Sequence, residues 1–132
     1  MGGVIGALAR WAAGVAWTTP AGSFPLTTLA VNVSGCLVVG VVAGVLDVRP
    51  RTGWTRLLRP FVVTGVLGGY TTFSTWSVDV DRLVGDGHLL AVAAYLALTL
   101  AGAVSAVAVG LVVARRLSGA GPQGSADPSV NP

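Results

Sequence analysis

An all-α integral membrane domain with four transmembrane helices is what this 132-residue sequence predicts, and three observations carry that reading. Hydrophobic residues make up 53% of the chain and charged residues only 10%, against roughly 25% charged in a soluble domain. The 19 glycines fall mostly inside the apolar runs, a pattern poor for water-exposed helices but common where membrane helices pack closely. The eight arginines, with no lysine, sit beside the hydrophobic stretches. Charge in that position reads as topology. The pI near 10 is therefore no sign of a nucleic-acid partner, which would need a basic stripe interleaved with aromatics. The length fits a single domain. Cys36 lies inside an apolar run with no second cysteine to pair with and reads as a small packing hydrophobe.

The spans follow in order. The first runs from about Gly2 to Trp17 with Arg10 in its middle, then a turn segment covers Thr18 to Pro25. At 1.5 Å per residue the first span reaches roughly 25 Å, short of a ~30 Å hydrocarbon core, and a start upstream of Met1 is the preferred explanation. No basic stretch precedes it as in a signal peptide, and Gly6 stands where a myristoylation signal needs Ser or Thr. The second span covers Leu26 to Leu46 and contains Asn32, and an Arg-rich connection from Asp47 to Arg59 leads to the third, Pro60 to about Val84. A short loop with Asp86, Gly87 and His88 precedes the fourth, Leu89 to Ala114. His88 reads as a solvated loop residue. The membrane domain thus occupies residues 1–116, and the tail 117–132, rich in Gly, Pro, Ser and Ala, is expected to be disordered.

The chemistry concentrates in the third span, Thr64-Gly-Val-Leu-Gly-Gly-Tyr-Thr-Thr-Phe-Ser-Thr-Trp-Ser77. Three glycines in five residues followed by hydroxyls destabilise a continuous helix. Irregular backbone inside a bilayer is tolerated only where protein or a water-filled cavity covers its polar groups. A break at Gly68–Thr72 would free carbonyls for a bound cation, whereas plain packing through the Gly65/Gly69 pair explains the glycines equally well. Phe73 and Trp76 share a face if helix resumes after the break, and aromatic ring edges are positive. Ser74 and Thr75 add hydroxyl donors. Thr28 and Asn32 on the second span, and Tyr95 and Thr99 on the fourth, repeat a donor at four-residue spacing on one face. Faces rich in donors and free of carboxylates suit an anion.

Three stretches carry a family resemblance: Gly2 to Trp11, Thr28-Leu-Ala-Val-Asn-Val-Ser-Gly35, and above all Gly65-Val-Leu-Gly-Gly-Tyr-Thr-Thr-Phe-Ser-Thr75. With them the sequence resembles the CrcB/Fluc fluoride channels over about Gly2 to Ala114. The resemblance implies small four-span proteins working as antiparallel dimers that let fluoride leave the cell by passive electrodiffusion, with no enzymatic step. It implies that Asn32 is the pore asparagine donating to fluoride and that Phe73 is the first phenylalanine of an aromatic box. Gly68 and Thr71 would hold a structural Na+ through backbone carbonyls, Arg10 would be a vestibule arginine, and Tyr95 and Thr99 a hydroxyl track. Trp76 departs from the family's second pore phenylalanine, and Ala103 from a common serine one turn beyond Thr99. Those departures leave room for a structural subunit with a degenerate pore.

A proton-coupled antiporter of similar size needs a titratable carboxylate inside a span. This chain has no Glu, and its aspartates fall at span ends and in the tail. Four crossings put Arg49, Arg51, Arg56, Arg59, Arg115 and Arg116 on one side and only Arg82 on the other, which predicts both termini in the cytoplasm. A fixed orientation within an antiparallel dimer in turn predicts an oppositely oriented paralogue as partner.

Overall fold

The computed structural model describes residues 1–20, 22–47 and 53–118. Among them the chain is helical throughout: α1 Gly2–Ala16, α2 Leu26–Asp47, α3 Gly53–Arg59, a π-helical segment Pro60–Leu67, α4 Gly68–Tyr70, α5 Ser74–Gly85 and α6 Leu89–Leu117. Only α2 and α6 are by themselves long and apolar enough to cross a bilayer. The run that the sequence predicts as the third crossing is composite, running from α3 through the π segment and α4 to α5.

The crossings alternate in direction. Asp47 at the end of α2 pairs with Arg59 at 3.3 Å, Gly35 abuts Tyr70 and Thr71, and Asn32 bonds Thr72. Numbers fall on α2 as they rise on the third crossing, so the two run antiparallel. By the same logic Gly40 against Val107 and Gly44 against Ala114 make α2 and α6 parallel neighbours. Gly2 beside Gly65 and Gly6 beside Val66 and Tyr70 make α1 parallel to the third crossing. At Gly6 and Gly69 the backbones touch so closely that a Cβ would collide with the carbonyl of Val66 or Gly3. Association by backbone approach is how helices gain contact where lipid removes the hydrophobic drive.

Two spans differ from expectation. Residues 53–59 form helix α3 instead of a connection, because Trp54, Leu57 and Leu58 recur at helical spacing, with Arg56 between them and Arg59 after. The π winding then starts at Pro60, whose missing N–H cannot close the α-helical bond. The wider turn stacks Phe61, Gly65–Val66 and Gly69–Tyr70 against Gly2, Gly3 and Gly6. The fourth span extends to Leu117, past the expected end at Ala114. The rest of the expected tail, 119–132, lies outside the described residues, as do Arg49 and Arg51. The loops expected between spans one and two and between three and four are present, each turning on a glycine with positive φ, Gly22 at 77° and Gly87 at 76°.

Candidate functional site

The third crossing is interrupted between α4 and α5. Gly68 is still helical, with φ −65° and ψ −30°. The departure comes at Thr71, which is extended at φ −72° and ψ 156°. Gly65 and Gly69 are occupied in packing on α1, so the two readings of the glycine run divide the sequence between them: Gly65 and Gly69 pack, Gly68 packs on nothing, and the threonines turn.

Side chains take over the work of the missing helical bonds. The Thr72 N–H donates to Asn32 Oδ1 at 2.9 Å, and Asn32 Nδ2 donates to the Thr72 carbonyl at 3.1 Å. One carboxamide thus satisfies both backbone groups of the most buried residue in the break. The Thr75 N–H donates to Thr72 Oγ1 at 3.1 Å, a side-chain cap on the first turn of α5. The Thr72 hydroxyl in turn donates to Thr75 Oγ1 at 3.0 Å and lies 3.3 Å from Ser74 Oγ. A consequence follows for the acceptors. In a continuous helix the N–H of Thr72 would reach the Gly68 carbonyl and that of Thr75 the Thr71 carbonyl. Both donors are spent elsewhere, so the carbonyls of Gly68 and Thr71 are released from those two helical bonds.

Beside the break lies a cavity of about 510 Å³ lined by Asn32, Cys36, Thr71, Thr72, Phe73, Trp76, Leu96, Thr99, Leu100 and Ala103. Phe73 and Trp76 are stacked with ring centroids 5.3 Å apart, and Phe73 is 78% exposed, so the cavity opens toward whatever covers this face. No carboxylate is among these lining residues. Asn32 has one amide N–H beyond the one bonded to Thr72.

The structure thus brings together Asn32, Thr71, Phe73, Trp76 and Thr99, and it separates the remaining candidates. Thr28 lines a second cavity of about 710 Å³ with Asp79, Asp81, Arg82 and Asp86, one helical turn away from Asn32. Tyr95 is fully buried, edge-on to Phe24 at 5.5 Å and 6.3 Å from the Trp76 ring. Its hydroxyl donates to Asp79 Oδ2 at 3.3 Å. The donor faces expected to be free of carboxylates therefore meet one at Tyr95, because α5 turns Asp79 inward instead of leaving it at a span end. Ser74 and Thr75 are engaged with Thr72. Arg10, half-buried midway along α1, is not part of either cavity lining. Three contributors escaped the sequence reading. Thr72 had a signal in its three-residue spacing to Thr75, which is cap spacing. Asp79 and Phe24 had none, since only the packed α2, α5 and α6 bring them to Tyr95.

With this geometry in hand, similarity to known proteins is informative. A family model described as CrcB-like protein, Camphor Resistance (CrcB), matches residues 1–111. The chain is 52% identical over 118 residues to the fluoride-specific ion channel FluC 1 of Streptomyces coelicolor, covering 89% of this chain and 75% of that protein. It is 54% identical over 101 residues to the fluoride-specific ion channel FluC 2 of Streptomyces avermitilis, covering 76% of this chain and 62% of that one. Against FluC 3 of the same organism it is 45% identical over 116 residues, covering 87% and 55%. The chain therefore spans less than two thirds of the length of two of these three relatives.

Proposed function

The chain belongs to the CrcB-like family, and on that premise we propose that it is a fluoride-selective membrane channel, passing the ion passively out of the cell and so lowering cytoplasmic fluoride. The observation that carries this reading is the 510 Å³ cavity, where Asn32, Phe73, Trp76 and Thr99 meet and no carboxylate lines the wall. A small anion that sheds water needs hydrogen-bond donors and positive ring edges in its place. Asn32, clamped by Thr72, presents its remaining N–H from a fixed position. Phe73 offers its edge from the open side. Membrane potential, negative inside, drives the anion outward, and no nucleotide or proton chemistry is required. Ser74 and Thr75 hold the break in shape through Thr72. Thr28 and Tyr95 stand a turn further along the same two helices, and Arg10 attracts anions toward a pore mouth.

The cavity is open on the Phe73 side, which supports an antiparallel dimer whose second subunit closes it. Gly68 is exposed, and a Cβ there would meet nothing closer than the Val63 carbonyl at 4.0 Å. Its own chain gives no reason for a glycine, whereas a second backbone at the dimer centre does. The released carbonyls of Gly68 and Thr71 fit a structural Na+, which would neutralise their dipoles at that centre without being transported. Both termini are assigned to the cytoplasm by the arginine bias. That end of the bundle carries Arg56, Arg59, Arg115 and Arg116, and the opposite end carries Arg82 with Asp79, Asp81 and Asp86. A fixed orientation calls for an oppositely oriented paralogue as the dimer partner.

Fluoride efflux from proteoliposomes containing this chain, alone and co-expressed with a paralogue, tests the reading. Release of fluoride above that from protein-free vesicles is expected in at least one preparation, and none in either rejects the channel. A topology reporter on the C-terminus separates the dimer types. If the lone chain inserts both ways and conducts, the heterodimer is wrong.

A further inference from the structure

The end of the bundle where α2 stops carries positive charge that the chain does not itself neutralise. Arg56 and Arg59 on α3 and Arg115 and Arg116 in the last turn of α6 are all exposed. The Asp47–Arg59 ion pair ties α3 to the last residue of α2. Gly44 seated on Ala114 brings Arg115 and Arg116 to the same end. Asp47 is the sole carboxylate there among the described residues, and its partner is Arg59. Arg56, Arg115 and Arg116 form no ion pair among the described residues.

The same corner leaves an apolar surface uncovered. Trp54, Leu57, Leu58 and Phe61 recur at helical spacing, which gathers them on one stripe, and all are exposed, Trp54 by 87%. Arg56 and Arg59 fall on the other side of the helix. Because Arg59 reaches Asp47, the polar side faces the end of α2 and the stripe is turned away from the bundle. Water is a poor solvent for the stripe, and hydrocarbon cannot take the guanidinium groups. The boundary between headgroups and acyl chains suits both, and tryptophan is enriched there. α3 also passes into the π segment at Pro60 with no intervening loop, so the stripe begins where the crossing does.

We propose that this corner is a docking surface for acidic phospholipid, with Arg56, Arg115 and Arg116 taking headgroup phosphates while Trp54 and Leu57 sit among the upper acyl chains. The charge selects the lipid. A zwitterionic headgroup brings its own ammonium and leaves the arginines unneutralised, whereas an anionic headgroup supplies net negative charge. None of these residues lines the cavity beside the break. The inference therefore goes beyond the channel reading and is independent of which ion the cavity passes; it requires only that the spans lie in a bilayer.

The test uses the full-length chain in vesicles of mixed phosphatidylcholine and phosphatidylglycerol, in which one lipid at a time carries bromine on its acyl chains and quenches indole emission on contact. The Trp54 signal is the difference between the wild type and Trp54→Phe. Brominated phosphatidylglycerol is expected to quench it at a mole fraction about five-fold or more below that of brominated phosphatidylcholine, the preference that one arginine near the surface supplies. The combined Arg56→Gln, Arg115→Gln, Arg116→Gln protein should show no preference, and the corresponding lysine substitutions, which keep the charge, should retain it. Equal quenching by the two lipids overturns the proposal, as does a preference that survives the glutamine substitutions. So does a preference abolished by inorganic phosphate in the buffer, which would mark a site for the free ion. Trp54 emission that neither lipid quenches would place the stripe against protein and overturn it as well.

Discussion

The third crossing has two halves that look alike in composition and work in opposite ways. From Phe61 to Tyr70 it meets α1 backbone to backbone, with Gly6 seated on Val66 and Gly3 on Gly69. From Thr71 to Trp76 the backbone leaves the helix, and side chains do nearly everything: Asn32 binds Thr72 and Thr72 caps α5. The first half achieves stability by removing side chains, and the second recruits them to release carbonyls and build a cavity. One is a rigid platform and the other a site. Substitutions should therefore separate folding from conduction according to which half they touch.

The largest expected effect is on the platform. Gly6→Val places a side chain into the Val66 carbonyl, and neither backbone can withdraw without parting the helices. A cost of about 3 kcal/mol or more is expected, seen as loss of monodisperse protein on size exclusion. A normal elution profile would show that α1 is not held by this contact. Next comes the clamp. Asn32→Ala leaves the Thr72 N–H and carbonyl unpaired and should destabilise by about 2 kcal/mol or more, lowering the thermal unfolding midpoint of detergent-solubilised protein. An unchanged midpoint would mean the break needs no clamp.

Smaller effects sharpen the contrast. Thr71→Ser retains a hydroxyl for the Leu67 carbonyl and leaves the backbone untouched, so stability should change by less than about 0.5 kcal/mol and efflux should stay at the wild-type rate. A large loss would give the Thr71 methyl a role that the backbone account denies it. Arg59→Gln removes an ion pair to Asp47 whose side chains are 47% and 51% exposed, and about 0–1 kcal/mol is expected. A larger shift in unfolding midpoint would indicate that the α2–α3 corner is stiffer than its exposure implies.

What the sequence disclosed follows the same division. Local signals were legible. Apolar length gave α2 and α6, the run of glycines and threonines gave an interruption near residue 70, and the spacing of Phe73 and Trp76 gave a shared face. Signals that depend on assembly were not. The glycines alone could not say which of them packed and which belonged to a break, because that depends on where α1 lies. Asn32 read as a free donor in the sequence, and only the fold reveals that most of its carboxamide is spent on Thr72. Asp79 sat at an expected span end, and the turn of α5 carries it to Tyr95. The helical start at Gly53 was hidden by its arginines, which read as a connection until Trp54, Leu57 and Leu58 are seen to share a face.

The most direct test of the account is fluoride efflux through Asn32→Asp in the preparation that conducts. The new carboxylate still accepts the Thr72 N–H but no longer donates to the Thr72 carbonyl, so elution as the wild type does is the control for folding. It also places a negative charge at the cavity wall, where an anion must pass. Efflux indistinguishable from protein-free vesicles is predicted. A folded Asn32→Asp protein releasing fluoride at the wild-type rate would contradict the assignment of this cavity as the anion path.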